Sequence, residues 1–356
     1  MIPATLTILS LISVSIAATG PYLVSFGDSF SDIGNRGTEG QKIKYWNDRY
    51  SNGPLWNEYL AYNNKYTLVD YAYTGATTNN TLVDGFAKPA SANKLPSLSD
   101  QIANFTSTFS PNLTRHDIKK DLVTITVGSS DFSLAMKEMD KSAFKSVWYS
   151  GALVDSMTES IQELIEFGFK RILLFNIPDL KTVPGIAKSA GNFTSGLDLF
   201  VTLTNLKLEQ AVKAINAKNI KNFDWVRILN YYDFANTVMN TKDPKRNFGI
   251  INFNLPCTQI LDQNKVSTCS NPDQYFFYDS IHPSTKVHAL AGAYASELVK
   301  SSRFEPSFSN LFDLYNSYKI FDISSTKNPL FLDANSTDTG DLVVPEFIVA
   351  DIEANT

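Results

Sequence analysis

Four short runs rich in apolar and β-branched residues punctuate the chain: Tyr22–Phe26, Leu122–Val127, Arg171–Asn176 and Trp225–Leu229. Apolar and β-branched residues dominate each run, with little of the charged alternation of a half-exposed strand. Unbroken apolar character marks strands covered on both faces, the condition of a parallel sheet. Between these runs the period lengthens to that of a helix. Ser150 to Phe167 sets Leu153, Met157, Ile161, Leu164 and Ile165 on one stripe and ends at Gly168. Leu199 to Ala217 does the same with Leu203, Leu206, Ala211 and Ile215, and Val287 to Val299 reads as a helix of small residues. Strands alternating with helices predict an α/β sandwich with a mainly parallel sheet between two helical layers. Sites in such folds form at the carboxyl ends of strands, and Ser29 and Ser130 both follow strand candidates directly.

Residues 35–120 lose this rhythm. They are rich in Asn, Tyr, Ser and Gly and read as long loops and short helices over one end of the sheet, where substrate sites are usually shaped. From about Glu305 the composition shifts again, with nine acidic residues and two lysines in the last ~52 positions. The resulting division is a leader at 1–19, a main domain at 20–304 and an acidic extension at 305–356. The extension is open to two readings, disordered or wrapped as a strand. It has no terminal apolar run of the kind that directs a lipid anchor.

Residues Thr5 to Ala18 are uncharged, and they end in the small residues Ser15, Ala17 and Ala18, as a secretory leader does. At ~15 residues the stretch is short for a spanning helix, so secretion is preferred over a membrane anchor. Five sequons agree, at Asn79, Asn104, Asn112, Asn192 and Asn335. The two cysteines, Cys257 and Cys269, would pair in an oxidising compartment, closing a loop worth ~3 kcal/mol by chain entropy. That loop ends ten residues before Asp279. Whether the bridge stiffens the segment leading to Asp279 or only a surface loop stays open. Two cysteines and three histidines supply no zinc spacing, and no metal or other cofactor is expected. The net charge of -5 and the absence of a basic run exclude nucleic acid as a natural partner. Oligomeric state has no signature.

Candidate chemistry gathers at the two ends. Ser29 lies just past the first apolar run, within Phe26-Gly27-Asp28-Ser29-Phe30-Ser31-Asp32. Asp279 and His282 are three residues apart in Asp279-Ser280-Ile281-His282-Pro283, close enough on one loop to touch. Serine, histidine and aspartate are the minimum set for acyl transfer: a nucleophile, a base for its proton and a carboxylate to orient the base. Asp28 and Asp131 are expected to brace loops by hydrogen bonds, His288 to pack, and His116 to have no role.

These segments resemble the GDSL-type esterases and lipases, also called SGNH hydrolases. Gly27-Asp28-Ser29-Phe30 is similar to the first block of that family, with Phe in place of Leu, and Asp32-Ile33-Gly34-Asn35 continues it. Ser51-Asn52-Gly53-Pro54-Leu55-Trp56 resembles the next segment, and Tyr71-Ala72-Tyr73-Thr74-Gly75-Ala76-Thr77 the glycine-bearing second block. Val127-Gly128-Ser129-Ser130-Asp131 aligns with the third block, Asn176-Ile177-Pro178 with a following strand end, and Asp279 to Pro283 with the last. The order is unbroken over residues 22–300. The resemblance implies a flavodoxin-like three-layer α/β/α sandwich. It further implies Ser29 as nucleophile, His282 as base, Asp279 as its orienter, and an oxyanion hole made by the amides of Ser29 and Gly75 with a donor from the third block. The family presents an asparagine there; this chain has Ser130.

The leading expectation is a secreted carboxylic-ester hydrolase acting on short acyl esters such as acetylated sugars. Aromatic residues at 45–73, Trp56 among them, are either sugar-stacking surfaces or plain packing. A lipase or phospholipase of the same family, an acyltransferase using the same triad, and a binding protein impaired by Ser130 are the alternatives.

Overall fold

A computed structural model of the chain describes residues 21–82, 95–109, 118–140, 142–191, 193–218, 220–221, 223–240, 248–324, 328 and 330. The proposed leader, most of the acidic extension, His116 and the sequons at Asn112, Asn192 and Asn335 lie outside the described residues.

The strands are β1 (Tyr22–Gly27), β2 (Thr67–Asp70), β3 (Leu122–Thr126), β4 (Arg171–Phe175) and β5 (Trp225–Leu229), with a separate hairpin of β6 (Thr258–Ile260) and β7 (Val266–Thr268). The helices are α1 (Trp56–Asn64), α2 (Leu98–Phe109), α3 (Ser129–Met139), α4 (Ala143–Phe167), α5 (Pro184–Ala190), α6 (Thr194–Ala217), α7 (Tyr231–Met239), α8 (Thr285–Lys300) and α9 (Phe308–Ser317). The five large-sheet strands run in the order β2-β1-β3-β4-β5, and every pair is parallel. Leu23 pairs with Leu68 on one side and Leu122 on the other, which centres the sheet on the first apolar run. Every residue of β3 is buried, as expected of a strand covered on both faces. Helices α1 and α8 pack together over one face, reaching β2 and β5; α2, α4 and α6 cover the other. This is the three-layer α/β/α sandwich with a parallel sheet that the apolar runs predict.

Several elements differ from the sequence reading, among them α6, which begins at Thr194, five residues ahead of Leu199. Helix α4 starts at Ala143, seven residues ahead of Ser150, because the Ser142 side chain accepts from Phe144 N at 3.2 Å and caps it there. Residues 35–120 contribute a fifth strand, β2. Four residues bounded by Thr and Asp carry no period of their own, and they become a strand because β1 offers an edge to pair with. The first part of the acidic extension is helical: α9 buries Leu311 and Leu314 and packs on α8. No helix among the described residues is long and apolar enough to cross a membrane.

Candidate active site

The turn leaving β1 positions Ser29. Asp28 N donates to Thr126 O at 2.9 Å, and Ser31 N and Asp32 N donate back to Asp28 O at 3.0 and 3.1 Å. The Asp28 carboxylate accepts from Phe30 N at 3.0 Å and is buried, whereas Ser29 and Phe30 are partly exposed and line the depression. Gly27 is required by close approach: a Cβ there would collide with the carbonyl and hydroxyl oxygens of Thr126 on β3. From α2, the Gln101 amide clasps the same residue, accepting from Gly27 N and donating to Gly27 O, both at 2.8 Å. Burial pushes the Asp28 carboxyl up to about 6, against its hydrogen bonds and the nearby His282.

The second arm is the turn from Tyr278 to His282, closed by Tyr278 N donating to His282 O at 2.8 Å. Asp279 Oδ1 accepts from Ile281 N and His282 N, each at 2.7 Å, and its Oδ2 meets His282 Nδ1 at 2.7 Å. The other nitrogen of the ring, His282 Nε2, lies 2.8 Å from Ser29 Oγ. The two ends of the sequence therefore meet in one hydrogen-bonded line, serine to histidine to aspartate. A fourth donor to Asp279 was not foreseen: Tyr45 OH donates to Oδ2 at 2.6 Å, across 234 positions of sequence. The Tyr50 ring flanks the imidazole, its centroid 5.1 Å away. Burial opposes ionisation of Asp279. The charge of His282 and the hydrogen bonds from His282 and Tyr45 outweigh it and hold the carboxyl at about 2. Burial lowers His282, and the Asp279 charge more than offsets that, so its pKa lies above the ordinary histidine value.

The disulfide Cys257–Cys269 is formed and closes the β6–β7 hairpin. Cys257 N donates to Phe277 O at 3.0 Å and Thr258 N to Tyr278 O at 2.7 Å. The bridge thus sits directly against the residues that lead into Asp279.

Gly75 lies across the mouth from this turn at φ +88°, in the left-handed region; a Cβ would sit 2.8 Å from Leu95 Cδ1. Its loop is held at both sides by buried carboxylates. Asp32 Oδ2 accepts from Thr74 N and Thr74 Oγ1, each at 2.7 Å, while Arg36 Nη1 donates to Thr74 O at 2.8 Å. Asp131 accepts from Thr78 N at 2.9 Å and Thr78 Oγ1 at 3.1 Å. Both Asp28 and Asp131 brace loops, as the sequence suggests. Ser130, in the first turn of α3, lines the same depression as Ser29 and Gly75.

His288 does not approach the reacting groups. It is buried, its Nδ1 accepts from Trp56 N at 3.3 Å, and its ring packs on Phe30 with centroids 4.7 Å apart. Burial, then repulsion from His282, pushes its pKa down to about 3. Trp56 is fully buried, packs on Phe175 and donates from Nε1 to Ser31 Oγ at 3.0 Å; it is a core residue rather than a sugar platform.

Beside Ser29 and His282 opens a cavity of about 310 Å³. Its walls are mostly apolar, with Phe30, Phe175, Ile177, Val183, Ile186 and Tyr231 among them. Among the described residues, no group of three or more His, Cys, Asp or Glu side chains could hold a metal ion.

The chain is similar to several known proteins. A GDSL esterase/lipase of Arabidopsis thaliana is 26% identical over 317 residues, covering 76% of this chain and 88% of its own. An acetylesterase of Hypocrea jecorina is 30% identical over 123 residues, 32% of this chain and 35% of its own. Among solved structures, a lipase from a goat rumen metagenome aligns over 80% of this chain and 98% of its own, at 13% identity and a TM-score of 0.42. The GDSL-like lipase/acylhydrolase family model matches residues 23–295, from the first residues of β1 to within α8. The chain belongs to that family and is a carboxylic-ester hydrolase.

Proposed function

We propose that the chain hydrolyses carboxylic esters through an acyl-enzyme on Ser29. The observation that carries this is the position of the His282 ring, 2.8 Å from Ser29 Oγ on one nitrogen and 2.7 Å from Asp279 on the other. In the neutral imidazole, Asp279 accepts from Nδ1–H, which leaves the Nε2 lone pair facing Ser29. Ser29 Oγ attacks the ester carbonyl as His282 takes its proton, and the carbonyl oxygen becomes an oxyanion. His282⁺ then protonates the leaving alcohol as the C–O bond breaks. Water attacks the acyl-serine by the same steps in reverse, releasing the acid and restoring Ser29. Asp279 remains ionised throughout and stabilises the imidazolium, the role that its low pKa suits.

The oxyanion is received by the amides of Ser29 and Gly75 and the hydroxyl of Ser130. The hydroxyl has a shorter reach than an asparagine amide, and this is the one observation favouring a non-catalytic binding protein. The formed disulfide supports passage through an oxidising compartment, hence secretion. Asn79 and Asn104, both partly exposed, are the proposed glycan sites among the described residues.

The test is turnover of p-nitrophenyl esters by the purified chain beside Ser29→Ala, with fluorophosphonate labelling of both. Ser29-dependent turnover and labelling support the reading. A wild-type protein that neither turns over esters nor takes the label is a binding protein instead, and product analysis with an added alcohol separates hydrolysis from acyl transfer.

A further inference from the structure

The apolar cavity is larger than an acetyl group requires. It begins at Ser29, at the end of β1, crosses the ends of β3 and β4 at Val127 and Phe175, and reaches Tyr231 and Ala235 on α7, which follows β5. In the sheet order β2-β1-β3-β4-β5 that path covers three strand spacings, roughly 14 Å at ~4.8 Å each. If a methylene occupies about the ~30 Å³ share of a water molecule, 310 Å³ holds on the order of ten carbons. The floor is aromatic, with Phe30 packed edge-on against Phe175 and Tyr231 at 5.8 and 5.1 Å between centroids. The outer wall is the segment from Leu180 to Ile186, joined to the histidine turn by Gly185 N donating to Ser280 O at 2.7 Å. Polar partners for a sugar ring are scarce here: Asn176, for example, already donates to Asn230 Oδ1 at 3.0 Å and accepts from Tyr232 N at 3.0 Å.

We propose that this chamber holds a linear acyl chain of about six to ten carbons, its carbonyl at Ser29 and its tail toward α7, so that medium-chain esters are preferred over acetates. The proposal rests on the ester-hydrolysis reading and replaces the short-acyl expectation drawn from sequence. Ala235 sets the length of the chamber. It is buried at the far side, one turn beyond Tyr231, and its single methyl leaves room that a larger side chain would fill. Each methylene buried in the chamber adds to binding, enough over six carbons to separate octanoate from acetate by more than tenfold.

The experiment compares p-nitrophenyl acetate, octanoate and palmitate with the full chain, with Ala235→Leu and with the milder Ala235→Val. The expected wild-type kcat/KM is at least tenfold higher for octanoate than for acetate. The octanoate-to-acetate ratio should fall about threefold in Ala235→Val and tenfold or more in Ala235→Leu. Acetate preference in the wild type, or a ratio that neither substitution moves, overturns the proposal. Calorimetry of sodium octanoate with Ser29→Ala separates the two readings. Octanoate binding that weakens when Ala235→Leu is added sustains the chamber even if no ester is turned over. No octanoate binding to Ser29→Ala rejects it.

Discussion

Two loops flank Ser29, each built on a buried carboxylate, and the two carboxylates sit in opposite electrostatic conditions. Asp279 accepts from two backbone amides, His282 and Tyr45, and is held at about 2. Asp131 accepts from the Thr78 amide and hydroxyl and from its own amide, all neutral donors, and burial pushes it up to about 7. Burial is nearly equal at the two sites. The difference is the ionisable partner: neutral donors alone do not offset the cost of removing a carboxylate from water, whereas an adjacent imidazolium does. The loop of Asp279 is therefore built around a charge, and the loop of Gly75 is braced by a carboxyl pushed up to about 7.

The largest expected effect comes from removing that charge. Asp279→Asn should lower kcat by about 10⁴, since the amide can donate to Nδ1 and favour the wrong tautomer. A loss under tenfold in steady-state kinetics would deny Asp279 its role. On the opposite loop, Ser130→Ala should cost about 10² in kcat with little change in KM, the signature of a lost oxyanion donor. Ser130→Asn should keep or raise kcat, and equal rates for all three proteins would remove Ser130 from the oxyanion hole. Tyr45→Phe deletes one charge-assisted hydrogen bond to Asp279 and should lower kcat about tenfold while the fold stays intact. The circular dichroism melt checks the second clause.

The smallest effect is in stability, and its sign differs between the loops. Asp279, depressed in the folded protein, contributes roughly 2 kcal/mol above pH ~4, and this is lost as the pH falls toward 2. Asp131, raised in the folded protein, favours folding most below pH ~4, and this contribution is lost as the pH rises through about 7. Urea midpoints measured from pH 5 to 8 should therefore decline in the wild type relative to Asp131→Asn. Parallel curves would show that Asp131 titrates normally. Over the same range kcat/KM should climb with pH through a pKa above the ordinary histidine value, because only neutral His282 accepts the serine proton.

Much of this molecule is legible in its sequence. The apolar runs at Tyr22, Leu122, Arg171 and Trp225 are strands because residues that must be dry on both sides have few alternatives to a covered parallel sheet. Ser29, Asp279 and His282 could be singled out because a turn after a strand and a three-residue spacing are local properties. Other features depend on contacts between distant segments. Strand β2 exists through pairing with β1, and Gln101 and Tyr45 are ordinary polar residues until the fold brings them to Gly27 and Asp279. The chamber is less legible still, since a cavity is what several elements jointly fail to fill, and Ala235 signals nothing without Tyr231 and Phe175 around it. Sequence alone determined the strand–helix alternation and singled out Ser29, Asp279 and His282 as the proposed reacting side chains, because both follow from local periodicity and spacing. Only the tertiary structure decided the fourth donor to Asp279 and the length of the apolar chamber, because both are set by distances between residues far apart in the chain.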